Sequence, residues 1–236
     1  STPKPSSAAS DVYKRQTLPR GVTPAASVTT SDRLVFIKKV YSLLAMSMGT
    51  AAIGAYLGSG PLLLLVAPNM MLFFILQIGL IFFASFAARK PGLNMIALFS
   101  FTTVSGLTLG PLLYQVGPSI AAEAFGLTAV TFAGLSMYVV YSKKDFSFMS
   151  GFLMTGLIVL VVGGLLNMFF IQSGMMHFVM SGASVLLFSG FILYDTSNIL
   201  RYYGTDEHVS ATLALYLDVL NLFIALLSIL NIMGRD

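Results

Sequence analysis

The chain has 236 residues, of which 56% are hydrophobic and 9% are charged, with a formal net charge of +4. A soluble domain carries about a quarter charged residues to cover its surface, so this composition excludes a soluble globular protein. It is also far too apolar for a disordered or nucleic-acid-binding chain, and the absence of cysteine excludes disulfides, thiolate metal sites and cysteine nucleophiles.

Residues 1–32 read as a polar tail, rich in Ser, Thr, Pro and Ala, with Lys4, Lys14, Arg15 and Arg20. No apolar run there has the length of a signal-peptide core, and no function is assigned to it. Residues 33–236 read as a transmembrane domain. Seven apolar segments lie near 35–58, 69–88, 93–115, 119–141, 147–170, 177–199 and 210–233. Each has roughly the 20 residues that cross a hydrocarbon core about 30 Å thick. Membrane barrels need alternating segments of about ten residues, whereas these runs are continuously apolar. The expected class is therefore an all-α integral membrane protein with seven transmembrane helices.

Cytoplasmic loops retain Lys and Arg. Besides the four in the tail, Arg33, Lys38, Lys39, Arg89, Lys90, Lys143, Lys144 and Arg201 all fall on one side if seven helices cross, and Arg235 alone falls on the other. The N-terminus is predicted to be cytoplasmic and the C-terminus outside, unless the seventh helix is re-entrant.

Most acidic residues sit in the tail, the loops or the C-terminus. Glu123 lies early in the fourth segment, and Asp195 and Asp218 lie well inside the sixth and seventh. A charge within the bilayer costs at least about 2.5 kcal/mol on insertion scales, so such residues mark a functional site by default. Asp195 and Asp218 are expected roughly 6 and 12 Å from the inner ends of adjacent antiparallel helices. Each opens a four-residue pattern, Asp195-Thr-Ser-Asn198 and Asp218-Val-Leu-Asn221, and the i, i+3 spacing puts each Asn close to the face of its Asp. Two such carboxyl groups in a low-dielectric site titrate as a unit. Arg89, at the inner end of the second segment, is positioned to pair with the ionised carboxylate. The oxygens of Asp195, Asp218, Asn198 and Asn221 suit a hard cation such as Ca²⁺, and Glu123 is a candidate accessory group. Gly106 and Gly110 form a GxxxG followed by Pro111, and Gly163-Gly164 precede Asn167; close helix packing and a kink account for both. His177 and His208 fall on opposite sides and share no metal. No phosphate-binding glycine loop, H-E-x-x-H element or long repeat occurs.

Five stretches carry a resemblance: Lys39-Val-Tyr-Ser-Leu-Leu-Ala45, Ser105-Gly-Leu-Thr-Leu-Gly-Pro111, Lys143-Lys-Asp-Phe-Ser-Phe148, Leu193-Tyr-Asp-Thr-Ser-Asn-Ile199 and Ala214-Leu-Tyr-Leu-Asp-Val-Leu-Asn-Leu-Phe223. From about residue 33 to the end the chain resembles the transmembrane Bax inhibitor motif family, as a bacterial-type member. The resemblance implies six helices around a central C-terminal seventh and a pH-sensitive Ca²⁺ leak. It places the family's aspartate pair on Asp195 and Asp218 and its latching arginine on or near Arg89. Gln77 stands where some bacterial relatives carry a glutamate. One bacterial branch modulates a membrane-bound AAA protease and often lacks the aspartates; both are present here, which favours the leak.

Three function classes compete. A cation leak gated by protonation of the aspartate pair would take Ca²⁺ and protons as its ligands, with no cofactor. A non-catalytic regulator would bind a membrane protease or another membrane protein. An intramembrane aspartyl protease would need a Gly-x-Gly-Asp and a Pro-Ala-Leu element, where this chain has Leu215-Tyr-Leu-Asp218 and no Pro-Ala-Leu. The expected location is a bacterial inner membrane, or an endomembrane if the source is eukaryotic.

Overall fold

The computed structural model describes residues 30–88, 90 and 92–234. Among them are seven helices long and apolar enough to cross a membrane: α1 (Thr30–Ser59), α2 (Leu63–Ala87), α3 (Leu93–Val116), α4 (Pro118–Ser142), α5 (Ser147–Ile171), α6 (Gly174–Arg201) and α7 (His208–Met233). The shortest has 24 residues, about 36 Å at 1.5 Å per residue, enough for the hydrocarbon core. Two bounds differ from the sequence expectation. The apolar stretch before Pro68, expected to separate the first two segments, is the first turn of α2, joined to Met70–Ala87 through a 3₁₀ turn at Ala67–Asn69. The first helix begins at Thr30, before the expected onset at 35.

Local chemistry sets the breaks. Gly92 and Gly117 adopt φ of 82° and 83°, a region other residues rarely enter. Gly117 closes α3 by donating its N–H to Leu113 O, and it leads into Pro118 at the first turn of α4, where a missing N–H costs nothing. The end of α5 widens into a π turn, Asn167–Ile171. The Asn167 side chain there accepts from Ser173 N, and Ser173 caps α6 by accepting from Met176 N.

Lipid tails are as apolar as leucine, so helices in a bilayer associate through close packing of small residues and through interhelical hydrogen bonds. The α1–α3 pair is the most extensive contact in the bundle. Gly54 and Gly58 of α1 and Gly106 and Gly110 of α3 lie against the opposing backbone, so the GxxxG of α3 meets a matching pair on α1. The hydroxyls of Thr50 and Thr102 lie 2.6 Å apart across this seam. Helix α7 packs on α1, α3, α4 and α6, while α2 docks on α3 and α5 on α6. The most apolar stretch of α5 buries nothing inside the bundle, as expected of a helix facing lipid. In the centre, the ring of Tyr216 meets Phe101 edge-on at 5.7 Å, and Thr212 donates to Val40 O, tying α7 to α1.

Candidate functional site

The basic end of the bundle is organised by the last turn of α6. Arg33 of α1 donates to Leu200 O and Tyr203 O, placing a cation where helix carbonyls are unsatisfied and the helix dipole is negative. Arg201 donates to Lys143 O, and Tyr202 donates to the Asp145 carboxylate. Asp145 Oδ1 also accepts from Ser147 N, and Ser197 Oγ accepts from Phe146 N. The α4–α5 loop is thereby fastened onto α6. These bonds hold Asp145 below the ordinary carboxylate range, at about 2, with Tyr202 the largest contributor and the Ser147 N–H next.

Asp195 lies about 9 Å from the C-terminal end of α6 and Asp218 about 15 Å from the start of α7. Both are deeper than the sequence segments imply, because each helix extends about two residues further at that end. The two carboxyl groups lie within hydrogen-bonding reach of one another, and the Asn198 side chain also reaches Asp195. Asp218 is buried, 5% exposed, and among the described residues no donor reaches its Oδ2. A buried acceptor without a donor costs about 1–3 kcal/mol, more if it is charged. A proton held between the two carboxyl groups removes that cost.

A shallow, open depression at the basic end is lined by Ser147, Tyr194, Asn198, Tyr202, Tyr203 and Glu207, and neither aspartate lines it. Asn198 belongs both to this depression and to the surroundings of Asp195. Burial pushes the Tyr203 hydroxyl above its ordinary range, and the Asp195 and Glu207 carboxylates add to the effect, so it stays neutral and remains a donor. Tyr202, Tyr203, Arg33 and Asp145 escaped the sequence reading. The available signal was three tyrosines, Tyr194, Tyr202 and Tyr203, around the end of the helix that carries Asp195.

The remaining candidates stand apart. Asn221 Nδ2 donates to Leu217 O one turn back on its own helix. Glu123 is exposed near the start of α4, about 29 Å along the helix from its basic end, with Ser119 Oγ donating to it at 3.4 Å; it does not meet the pair. Arg89 lies outside the described residues, as do Arg235 and the tail basics. Among the described residues no group of three or more His, Asp or Glu side chains is placed to hold a metal ion. Two carboxylates and an amide fall short of the six to eight oxygens of a resident Ca²⁺ site.

Residues 33–235 match the family described as "Inhibitor of apoptosis-promoting Bax1". The chain belongs to the Bax inhibitor family. An uncharacterized protein of Campylobacter jejuni is 44% identical, the match covering 85% of this chain and 90% of that protein. The Escherichia coli protein named "Modulator of FtsH protease YccA" is 36% identical over 85% of this chain and 91% of its own length. Mouse "Protein lifeguard 4" is 32% identical over 89% and 90%. The family match spans the described bundle from Arg33 onward, the positions of Asp195 and Asp218 included.

Proposed function

We propose that this protein is a pH-sensitive cation leak, with Ca²⁺ as the permeant ion, gated by protonation of the Asp195–Asp218 pair. The observation that carries the reading is the meeting of two carboxyl groups inside the bilayer, one buried with an oxygen that no donor among the described residues satisfies. With a proton between them the pair bridges α6 and α7. Without it, two charges about 4 Å apart repel by about 4 kcal/mol at an effective dielectric of about 20, enough to bias the packing of α6 on α7. The freed oxygens, with that of Asn198, then offer a cation a path continuing from the depression at the basic end. Arg89 is the proposed cation that pairs with the carboxylate in the closed form, and the Glu123 position contributes nothing to this step.

Protein reconstituted in liposomes is expected to pass Ca²⁺ with a rate that changes between pH 5 and 8, and the Asp195→Asn, Asp218→Asn double variant is expected to lose that change. A flux with the same pH profile in the double variant overturns the reading.

A second reading, a non-catalytic regulator of a membrane-bound AAA protease, is supported by the name of the Escherichia coli relative and by the unburied face of α5. It predicts no flux from the purified protein and co-purification with the protease. For either role the proposed location is a bacterial inner membrane with the basic end cytoplasmic, in line with a relative named "Inner membrane protein YccA".

A further inference from the structure

Helices α1 and α4 both pack on α7 and have little direct packing on one another. Between them runs a lateral cavity of about 650 Å³, with Ala45, Ala52 and Ala129 among its walls and Val219 and Phe223 of α7 on its floor. Tyr41 and Phe132 close it towards the basic end, their rings 6.2 Å apart. We propose that this slot is a binding site for one hydrocarbon chain of a bilayer lipid.

The surroundings select the occupant. The lining extends from Tyr41 to Ser59 on α1 and from Ala121 to Phe132 on α4, about 27 and 17 Å along the two helices. The slot opens sideways between two membrane-spanning helices, so what borders it is the hydrocarbon of the bilayer, and its apolar walls offer a methylene chain carbon contacts near 4 Å. Its length along α4 matches one leaflet of the core, about 15 Å.

The walls are mostly apolar. Thr128 Oγ1 donates to Ala124 O and Ser59 Oγ to Tyr56 O, each back onto its own helix, and the Tyr216 hydroxyl donates to Thr102 O. The other polar groups of the lining are the phenols of Tyr41 and Tyr56, near the two ends of the α1 wall. An aqueous pore offers donors and acceptors along its length, whereas the wall between these two phenols is hydrocarbon. Ala52, Ala129 and Phe125 are exposed at its edges, so a chain enters sideways from the bilayer. Once inside it bears on the same helix, α7, that carries Asp218 on another face. The inference does not depend on ion conduction.

The sequence contains no tryptophan, which permits a single-reporter test. In vesicles of phosphatidylcholine brominated along its chains, a Phe223→Trp reporter on the slot floor is expected to be quenched. A Phe82→Trp reporter, at an α2 position 71% exposed, serves as the lipid-facing control. Adding Ala52→Leu and Ala129→Leu, which fill the slot against a chain, is expected to weaken quenching of the floor reporter about twofold or more and leave the control unchanged. Quenching of the floor reporter that ignores the filling substitutions overturns the proposal. So does quenching by aqueous iodide, which would mean water, or indifference to both quenchers, which would mean a protein segment or a second copy. Spin-labelled phosphatidylcholine with the otherwise unaltered chain gives a second measurement: the filled variant is expected to immobilise fewer lipids than the parent, and equal numbers refute the site.

Discussion

Replacing Gly106 by alanine tests whether the α1–α3 seam is set by backbone contact. A Cβ at Gly106 would lie 2.8 Å from Ala51 C and 2.9 Å from Ala55 N, and closer still to Ala51 O. These are backbone atoms, which cannot rotate away. Restoring ordinary contact requires the helices to part by about 1 Å, and a gap of that size forfeits a quarter to a half of each dispersion contact along the seam. Overpacking of this kind costs about 1–3 kcal/mol. Alanine also favours the helix over glycine by about 0.8–1.0 kcal/mol, so a second variant is needed to cancel that gain. Gly134, on the exposed face of α4, has nothing within 4 Å of its notional Cβ. Equilibrium unfolding in bicelles should place Gly106→Ala below Gly134→Ala by about 1–3 kcal/mol, the overpacking cost alone. Equal stabilities for the two variants would refute the reasoning, because the close approach would then carry no energetic weight.

Further outcomes follow from the basic end and the acid pair. Asp218→Leu is expected to lower stability by about 1–3 kcal/mol, because it removes one partner of a buried pair and leaves Asp195 without the other, while abolishing the pH dependence of flux; thermal unfolding and liposome flux measure the two together. Arg33→Ala removes the cation that holds Leu200 O and Tyr203 O and is expected to cost about 1–3 kcal/mol, seen as faster hydrogen exchange at the end of α6. Asp145 titrates at about 2 in the folded protein against an ordinary 3.8, so its contribution is complete above the ordinary value and is lost as pH falls through about 2. Tyr202→Phe is therefore expected to move loosening of the α4–α5 loop, read by limited proteolysis, to higher pH. The flux profile between pH 5 and 8 should stay where it was.

The match to the Bax inhibitor family was legible in the stretches around Asp195 and Asp218, which combine a buried acid with an amide three residues on. The amides illustrate the limit of that pattern. Asn198 reaches Asp195, whereas the equivalent Asn221 turns back to Leu217 O, because identical spacing on two helices does not give identical neighbours. Glu123 shows the same limit, since an acid within an apolar segment faces either lipid or bundle according to helix rotation, which a continuously apolar sequence does not encode.

By itself the sequence determined the number of spans, their class and the side on which positive charge gathers, because hydrocarbon admits only long apolar helices with every backbone group satisfied internally. Tertiary structure alone decided the other partners: α1 against α3 through opposed glycines, Arg33 on the end of α6, and a gap left between α1 and α4. Apolar surfaces in lipid have no solvent to avoid, so helix pairing rests on shape and on a few polar contacts, and those emerge only once the helices are in place.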